Sequence, residues 1–458
     1  MKVIICGAGQ VGFGIAERLS SEQNDVTVID NAPELIQSIS DSLDVQGIVG
    51  HGSHPEVLQR AGAEETDMII AVTFSDEVNM VACQVAHSLF DIPIRIARVR
   101  AQSYLAPGWQ DLFSRDHMPI DVIISPEVAV GDMVLRRLAQ PGAFETISFV
   151  DDRISVVGVT CEEDCPIVNT PLRQLTELFP DLEAVVIGIV RDGRLFIPHS
   201  SDQMLVGDEV YFSAAREQVE RTLGIFGHDE EQARRIIIAG GGNIGFYVAD
   251  QLEKQQSRTK VKIIEPLRKR AETIADRLKR AVVLNGSALD QDLLREAGAA
   301  EAETFVSLTN DDQVNILACV MAKREGCKRA MSLVSNQDYV GIIRSLGIDA
   351  HVSPKALTIS TILQHVRRGS IRRVHAVQNS AAEIVEAEAL ETSPLVGKPL
   401  RDVGIPDGMR VGAVVRDGTV IMPDGNTEVK SHDRVVMFTL AGRVREVEQM
   451  FRVSLEYF

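Results

Sequence analysis

Short apolar runs alternate with stretches of helical periodicity over residues 1–125. The runs KVIICG, DVTVID, VQGIV, MIIAVT, IRIARV and DVIIS are rich in β-branched residues, which is typical of buried strands. Between them, apolar residues recur every third or fourth position and predict helices over residues 11–20, 33–43, 54–61 and 77–90. Strands and helices that alternate in this way form a parallel sheet covered on both faces. The pattern therefore predicts an α/β fold with a doubly wound, Rossmann-like domain at the start of the chain.

The second half of the chain repeats the first. HGSHPEVLQRAGAEETDMIIAVT (51–73) resembles NGSALDQDLLREAGAAEAETFVSLT (285–309). A second kind of repeat pairs CPIVNTPLRQL (165–175) with SPLVGKPLRDV (393–403). Repeats of this length indicate structural units rather than chance similarity. The order of the units is A-B-A-B, where A is the Rossmann-like pattern.

Module B consists of short apolar runs separated by turn signals, among them the sequence RDG at 191–193 and again at 416–418. This is a hairpin signature, and it predicts a small α+β domain with antiparallel strands. Helical patterns that join each A to the following B are predicted to be crossover helices. The predicted domains are 1–125 (Rossmann-like), 126–142 (crossover helix), 143–228 (small domain), 233–353 (Rossmann-like), 354–370 (crossover helix) and 371–458 (small domain).

A glycine-rich turn, GAGQVG, follows the first predicted strand with the spacing of a dinucleotide-binding loop. The first glycine permits the tight turn, the second lets a pyrophosphate approach the backbone, and the third lets the helix pack on the strand. Amides at the helix N-terminus would hold the anion, and an acid ending the second strand would bind ribose hydroxyls. A nucleotide-free sheet with a similar turn is the alternative interpretation. The candidate contacts are Gly7, Ala8, Gly9, Gln10, Val11, Gly12 and the strand-end acid Asp30.

The second A module carries the same signal in GGGNIG. Its acid is followed by PLRKR, whose basic residues either balance the acid, attract a phosphate or form a solvated helix face. These three interpretations remain open. The candidate contacts of the second copy are Gly240, Gly241, Gly242, Asn243, Ile244, Gly245 and Glu265.

Other candidate residues lie where further strands of the first module end. Thr73 follows the fourth strand, at the edge where ligands bind such sheets, and Asp76 starts the next helix. Both are interpreted either as nucleotide contacts or as helix-entry residues. Arg98 ends the fifth strand and would reach phosphates, whereas its counterpart, Ser332 or Leu333, is not basic. The two sites are therefore predicted to be unequal.

Ser53 lies before the helix predicted near residue 54 and is also a candidate nucleotide contact. With Glu56 three residues later it predicts a capping box, and Ser287 with Asp290 predicts the same device in the second copy.

Composition narrows the function classes. The chain of 458 residues has 47 Lys and Arg against 65 Asp and Glu, a formal charge of −18, which disfavours nucleic acid and anionic lipid as partners. No window approaches the roughly 18 apolar residues of a membrane span. The N-terminus predicts a buried strand rather than a signal peptide. Six scattered cysteines suit reduced core thiols, and their spacing predicts no metal site.

Catalytic groups are harder to find than binding groups. The sequence contains no P-loop motif, and no paired histidine and carboxylate accompanies the glycine loops. His51 and His54 align with Asn285 and Ala288 in the second copy and are interpreted as polar helix-entry residues. An NAD-dependent oxidoreductase with an unrecognised substrate remains the alternative to a binding protein, and a scaffold whose glycine turns hold nothing is a third possibility.

Several stretches together closely resemble the TrkA family, the cytoplasmic regulatory subunits of bacterial Trk potassium-uptake systems. These stretches are GAGQVG, GHGSHP, AVT, NMVACQVAHSLF and RIARVR. The resemblance covers essentially the whole chain and implies the domain order RCK-N, RCK-C, RCK-N, RCK-C, where RCK stands for regulator of potassium conductance. It adds Thr73, Phe74 and Arg98 to the nucleotide contacts of the first lobe.

The resemblance also implies a function. Such a protein binds NAD or NADH and ATP or ADP, and lies on the cytoplasmic face of the inner membrane. It docks on a potassium-translocating subunit of the TrkH or TrkG type and gates transport without catalysing a reaction. Self-association through the RCK-N lobes implies a homotetramer.

Overall fold

The computed structural model describes residues 1–105, 107–114, 116–179, 181–255, 258–366, 371–377, 381–441 and 443–451. Residues 367–370 of the predicted second crossover segment lie outside the described residues, as do 378–380 and 452–458 of the predicted second small domain.

The first Rossmann-like pattern forms a six-stranded parallel sheet with the strand order β3-β2-β1-β4-β5-β6. The sequence prediction of a doubly wound sheet is confirmed, and each predicted helix is present within one or two residues of its expected ends. The strands are β1 Lys2–Cys6, β2 Asp25–Asp30, β3 Gln46–Val49, β4 Met68–Ala71, β5 Ile94–Arg98 and β6 Val122–Ile124. The helices are α1 Gln10–Ser21, α2 Pro33–Ser42, α3 Pro55–Arg60, α4 Asp76–Phe90 and α5 Pro126–Ala139.

The predicted capping boxes are wrong. Helix α3 begins one residue later than expected, so its N-cap is His54, and no side chain caps it. Ser53 instead lies 2.8 Å from the imidazole Nδ1 of His51 through its hydroxyl. Just after the helix, Gly62 lies in the left-handed region with a φ of 81°.

The first B module forms a five-stranded sheet in the order β10-β9-β11-β8-β7, with every pairing antiparallel. Its strands are β7 Glu145–Phe149, β8 Ile154–Thr160, β9 Ala184–Arg191, β10 Arg194–Phe196 and β11 Glu209–Ala215, with helices α6 Leu172–Leu178 and α7 Val219–Ile225. The predicted hairpin is present: β9 and β10 are joined by Asp192 and Gly193, which both have positive φ (50° and 73°). Two left-handed residues are what a tight type I′ turn requires.

The second half repeats this architecture, with sheets ordered β14-β13-β12-β15-β16-β17 and β18-β19-β22-β20-β21. The second Rossmann-like domain contains β12 Arg235–Ala239, α8 Asn243–Gln255, β13 Lys260–Glu265, α9 Arg268–Arg277, β14 Val282–Asn285, α10 Gln291–Glu296, β15 Thr304–Ser307, α11 Asp312–Arg324, β16 Arg329–Leu333, α12 Gln337–Ile343 and β17 Ala350–Val352. Helix α13 Pro354–Val366 follows it along the chain. The second small domain contains β18 Ile371–Val377, β19 Ala382–Glu388, α14 Leu400–Val403, β20 Met409–Arg416, β21 Thr419–Ile421, β22 Arg434–Leu440 and α15 Val444–Phe451.

The first of two compact units comprises residues 1–131, 242–247 and 353–366. It thus includes α13, which follows the second Rossmann-like sheet along the chain but packs on α1 of the first. Ile362 and Leu363 of α13 are buried in the core of the first sheet. Gly14 of α1 permits this contact, because a Cβ there would lie 2.3 Å from Cδ1 of Ile359.

The second compact unit comprises residues 132–241, 248–352 and 367–458. Within it the two antiparallel sheets share one core, to which Phe149, Tyr211, Ile384 and Phe438 contribute. A Cβ at Gly188 would lie 2.8 Å from the ring of Phe438, so this glycine lets the sheets approach closely. In the part of the chain that the structure describes, no helix is long and apolar enough to cross a membrane.

Candidate functional site

The first glycine loop is built as its sequence predicts. Gly7 has a φ of +113°, and a Cβ there would lie 3.0 Å from the backbone of Thr73 and Val72. A Cβ at Gly12 would lie 1.7 Å from the carbonyl oxygen of Gly7. Both positions therefore exclude any side chain, since α1 packs directly on the end of β1.

Gly9 is constrained differently. Its φ of −65° and ψ of −176° are accessible to other residues, and nothing lies within 4 Å of a Cβ built there. The first intrahelical bond of α1 runs from the Phe13 amide to the Gly9 carbonyl (2.8 Å). The amides of residues 10–12 therefore lack intrahelical partners, and the first turn carries no acid. The backbone beside Gly9 is open to an anion.

Asp30 supports the loop itself. Its carboxylate accepts hydrogen bonds from the amides of Ala8 (2.7 Å) and Ala32 (2.9 Å). The sequence predicted contact with ribose hydroxyls, and the half-buried carboxylate keeps lone pairs for such contacts. Its role in holding the turn was not foreseen.

A buried asparagine organises the next part of the sheet edge. The Asn79 side chain is 0% exposed; its oxygen accepts from the amide and hydroxyl of Thr73 (2.8 and 2.7 Å), and its nitrogen donates to the carbonyl of Arg98 (2.9 Å). Thr73 is thus held at the end of β4 beside Gly7. Sequence reasoning missed Asn79, because a polar residue in a helical stretch gives no sign of its direction. Asn315 makes the same bonds to Thr309 in the second copy, which is the one available signal.

Three charged side chains at this edge leave buried polar atoms without partners among the described residues: Nε of Arg98, Oδ1 of Asp76 and Oε2 of Glu127. Arg98 donates to the Thr73 carbonyl (2.8 Å), and burial lowers the pKa of its guanidinium. Asp76 accepts from the amides of Arg100 and Ala101 through its other oxygen (2.9 and 2.8 Å). Buried polar atoms of native proteins nearly always find a partner, so this cluster marks a place for a polar ligand or ordered water.

Beside this cluster lies an exposed aromatic ring. Phe74 is 85% exposed, and the guanidinium of Arg100 lies over its ring at 5.4 Å while donating to Glu127 (2.8 Å). Asp76 is the first residue of α4, but the helix is capped by Ser75, whose hydroxyl accepts from the Val78 amide. Asp76 is therefore not the cap of α4, and its contact with a nucleotide stays a prediction.

The second glycine loop has the same backbone and a different acid. Gly240 has a φ of +98°, and its Cβ would lie 2.9 Å from the carbonyl oxygen of Leu308. Glu265 is 2% exposed and accepts from the amides of Gly241 (2.8 Å) and Leu267 (2.9 Å), with the guanidinium of Arg270 at 3.8 Å. Arg270 thus balances the acid, which was one of the open interpretations.

The strands settle which residue replaces Arg98. Asn79 donates to the carbonyl of Arg98 and Asn315 donates to that of Leu333, both at 2.9 Å, so Leu333 is the counterpart. Of the six buried side-chain atoms without partners among the described residues, none lies at the glycine-loop edge of the second sheet. The predicted inequality of the two edges is present in the structure.

The histidines beside the first loop stack on each other, with ring centroids 4.7 Å apart. The residues predicted to correspond to these histidines in the second copy, Asn285 and Ala288, are wrong because the alignment was shifted by two positions. The amides of Gly50 and Gly286 donate to the carbonyls of the two strand-end acids, so His51 and His54 correspond to Ser287 and Asp290. Asp290 caps α10, accepting from the amides of Asp292 and Leu293.

One buried histidine and carboxylate do pair, away from the glycine loops. His375 of β18 lies 3.6 Å from Glu145 of β7, which also accepts from the hydroxyl of Tyr211 (2.9 Å). Burial opposes ionisation of Glu145, but His375, Arg137 and Tyr211 together hold its pKa below the usual value. Among the described residues, no cluster of metal-ligating side chains is present.

Comparison with known proteins agrees with this architecture. The TrkA-N domain model matches residues 3–126 and 236–354, and the TrkA-C domain model matches residues 156–227 and 384–452. The chain is 59% identical over 458 residues to the Trk system potassium uptake protein TrkA of Azorhizobium caulinodans, covering 100% of both chains. The protein of the same description in Halomonas elongata is 41% identical, with 100% of both chains covered, and that of Vibrio alginolyticus is 39% identical, with 99% of both covered.

Among solved structures, the GsuK RCK domain superposes with a TM-score of 0.61 at 17% identity, covering 98% of this chain and 94% of that one. The GsuK channel bound to NAD superposes with a TM-score of 0.60 at 16% identity, covering 98% and 78%. Two glycine-loop sheets, each followed by a small antiparallel sheet, define a tandem protein of the RCK fold. The chain belongs to the TrkA family.

Proposed function

We propose that the chain is the regulatory subunit of a Trk-type potassium-uptake system, binds NAD(H) and adenine nucleotides, and gates a potassium-translocating membrane subunit. Relatives named as Trk potassium uptake proteins match it from end to end. The proposal rests on the groups that the structure places at the carboxyl edge of the first sheet. The open backbone of Gly9 lies at this edge, together with charged groups whose buried atoms have no partner in the part of the chain that the structure describes.

In the proposed complex, the pyrophosphate lies at the N-terminus of α1 against residues 7–12, and Asp30 binds a ribose. The Arg98 guanidinium supplies positive charge towards the phosphates. Thr73, Phe74 and Ser53 border the same edge, where the exposed Phe74 ring offers an apolar face. All these residues follow strands whose carboxyl ends meet at one edge, which is where such sheets bind ligands.

The second site is proposed to bind a nucleotide more weakly. Residues 240–245 repeat the loop, but Glu265 is 2% exposed where Asp30 is half-buried, the guanidinium of Arg270 lies beside it, and Leu333 offers no charge. Ribose recognition and phosphate binding are both reduced by these differences. The second site therefore responds at higher nucleotide concentrations than the first.

The remaining parts of the proposal concern assembly and place. We propose a homotetramer associated through the Rossmann-like lobes, on the cytoplasmic face of the inner membrane, with a TrkH- or TrkG-type partner. We propose the same domain boundaries as the sequence predicts: 1–125, 126–142, 143–228, 233–353, 354–370 and 371–458. Nucleotide binding shifts the assembly only if one conformation binds more tightly.

Potassium flux tests the proposal directly. Potassium uptake is measured in liposomes that contain the membrane subunit and this chain, with ATP, ADP, NAD or NADH added in turn. Arg98→Leu, which copies the second sheet, should shift the nucleotide response to at least tenfold higher concentration. Arg153→Leu, a surface arginine bonded to the Gly418 carbonyl (2.7 Å), is the matched control and should leave the response unchanged.

Potassium flux that is unchanged by every one of these nucleotides would contradict a regulatory role. Sustained oxidation of NADH with an organic substrate would instead favour the oxidoreductase alternative. We propose no catalysed reaction, because the glycine-loop edges present binding groups and the buried His375 pairs with a carboxylate inside a core.

A further inference from the structure

A cleft of about 410 Å³ lies at the opposite edge of the second Rossmann-like sheet, where strands begin rather than end. Thr304, Arg329 and Ala350, the first residues of β15, β16 and β17, line it. The other wall comes from Arg137 and Leu138 at the end of α5, from residues 141–144 after it, and from His228 and Glu230. Its volume is in the range of small-molecule sites. The cleft is therefore distinct from either glycine loop.

The duplicated sheet shows why this cleft exists. Arg95 of β5 fills the corresponding place in the first sheet: its guanidinium donates to the carbonyls of Pro119 and Ile92 (both 2.7 Å) and to Asp121 (2.9 Å). The equivalent of Arg95 is Ala330, because the Arg95 amide donates to Asp121 (2.8 Å) just as the Ala330 amide donates to Asp349 (2.7 Å). The second sheet has lost the side chain that closes the first.

Within the cleft, most charges are already paired. Arg329 lies 3.3 Å from Glu230, and Lys323 lies 3.1 Å from Asp349. Arg137 differs from both. It is 8% exposed, donates to the His351 carbonyl, and its Nε has no partner among the described residues.

No salt bridge of the described residues involves Arg137; burial lowers the pKa of its guanidinium, and the nearby Glu145 only opposes this effect. A buried cation without an ion-pair partner is costly, and an anion entering the cleft would remove that cost.

We propose that this cleft binds a small organic anion, whose carboxylate or phosphate pairs with Arg137 and whose apolar part lies against Leu138, Phe144 and Ile348. The ligand would touch the segment after α5, the segment before β12 and the start of three strands at once. Binding there would favour one arrangement of these segments over others. The cleft is thus a second effector site, separate from nucleotide binding.

Two substitutions test the site in the full-length protein. Arg137→Met removes the unpaired cation, and Ala330→Arg restores the side chain that closes the first sheet, where Asp349 would accept it as Asp121 accepts Arg95. Calorimetric titrations with inorganic phosphate and with succinate, at constant ionic strength set by chloride, separate the two anion chemistries. We expect at least one of them to bind the wild-type protein, with a dissociation constant at least tenfold weaker in both variants.

Stability without ligand gives an independent measurement. Arg137→Met should lower the unfolding temperature less than the loss of a buried ion pair does, because Arg137 has no salt bridge among the described residues and supports Glu145 only without direct contact. Arg191→Met is the contrast, since it leaves Asp208, 1% exposed and 2.6 Å from Arg191, without its cation, and should unfold earlier. Binding of neither anion, equal binding by wild type and both variants, or an Arg137→Met loss as large as that of Arg191→Met would each overturn the proposal.

Discussion

Replacing Gly9 with alanine is expected to weaken nucleotide binding at the first sheet without weakening the fold. The backbone angles of Gly9 (φ −65°, ψ −176°) suit alanine, and a Cβ there meets no atom within 4 Å. Such a substitution restricts the unfolded chain and so favours the folded protein by about 0.4–1 kcal/mol, but Gly9 is also the N-cap of α1, where alanine is disfavoured by a similar amount, so little net change in stability is expected. The added methyl group, however, occupies the space through which a pyrophosphate would approach the backbone.

The size of the effect follows from the bonds at risk. The amides of residues 10–12 have no intrahelical partner, and each charge-assisted bond to a phosphate contributes about 1.5–3 kcal/mol. Loss of one such bond corresponds to a roughly 10- to 100-fold weaker dissociation constant. Titration calorimetry with NADH and with ATP measures this change, and thermal denaturation measures the stability.

Gly242→Ala is the matched control in the second loop, where a Cβ also meets nothing within 4 Å. It should affect only the weaker binding event. Unchanged affinity of Gly9→Ala for every nucleotide, in a protein as stable as the wild type, would show that no phosphate lies against this loop. A loss of stability well beyond the roughly 1 kcal/mol of an N-cap change would refute the structural part of the reasoning instead.

Three further predictions concern stability. Asn79→Ala removes the bonds that hold Thr73 and should lower the free energy of unfolding by about 2–4 kcal/mol in urea titrations. Asn79→Asp, which places an oxygen against the carbonyls of Thr73 and Arg98 in a buried site, should lose at least as much. Arg191→Met should lower the free energy of unfolding by about 2–3 kcal/mol, because it leaves the buried carboxylate of Asp208 without its cation. If the double variant Arg191→Met/Asp208→Asn lost as much stability, the buried carboxylate would not be the cause. Burial raises the pKa of Glu253, but hydrogen bonds from the amides of residues 279–281 outweigh this effect and hold the pKa below its usual value. The ionised Glu253 therefore stabilises the folded protein fully above the unfolded pKa, and this contribution is lost as the pH falls through the folded pKa. Glu253→Gln should therefore destabilise the protein at pH 7 and progressively less in acid, as urea unfolding across pH will measure.

The repeated fold could be predicted from sequence because the information is local. Apolar runs of strand length, helical periods between them and paired RDG turns each specify their own element. The glycine loop could be predicted for the same reason, since Gly7 needs a positive φ and Gly12 meets the Gly7 carbonyl within the same β-α unit.

The parts that could not be predicted depend on residues distant in sequence. The fold brings Asn79 to the carbonyl of Arg98, and it buries the Nε of Arg137 where no described residue accepts its hydrogen bond. The capping boxes were wrong because the start of α3 is fixed one residue later than the serine spacing suggested, leaving His54 at the cap. Sequence spacing alone does not specify such offsets.

The position of α13 bears on how a tandem chain of this kind can be divided. Two of its residues, Ile362 and Leu363, complete the core of a sheet whose strands were all synthesised before residue 125. A half-length chain ending near residue 228 would leave that apolar surface of α1 uncovered and would need a second molecule to cover it. Because both halves lie in one polypeptide, the two unequal glycine-loop sites are always present in a ratio of one to one. The contact between α13 and α1 then does not depend on the concentration of a separate chain.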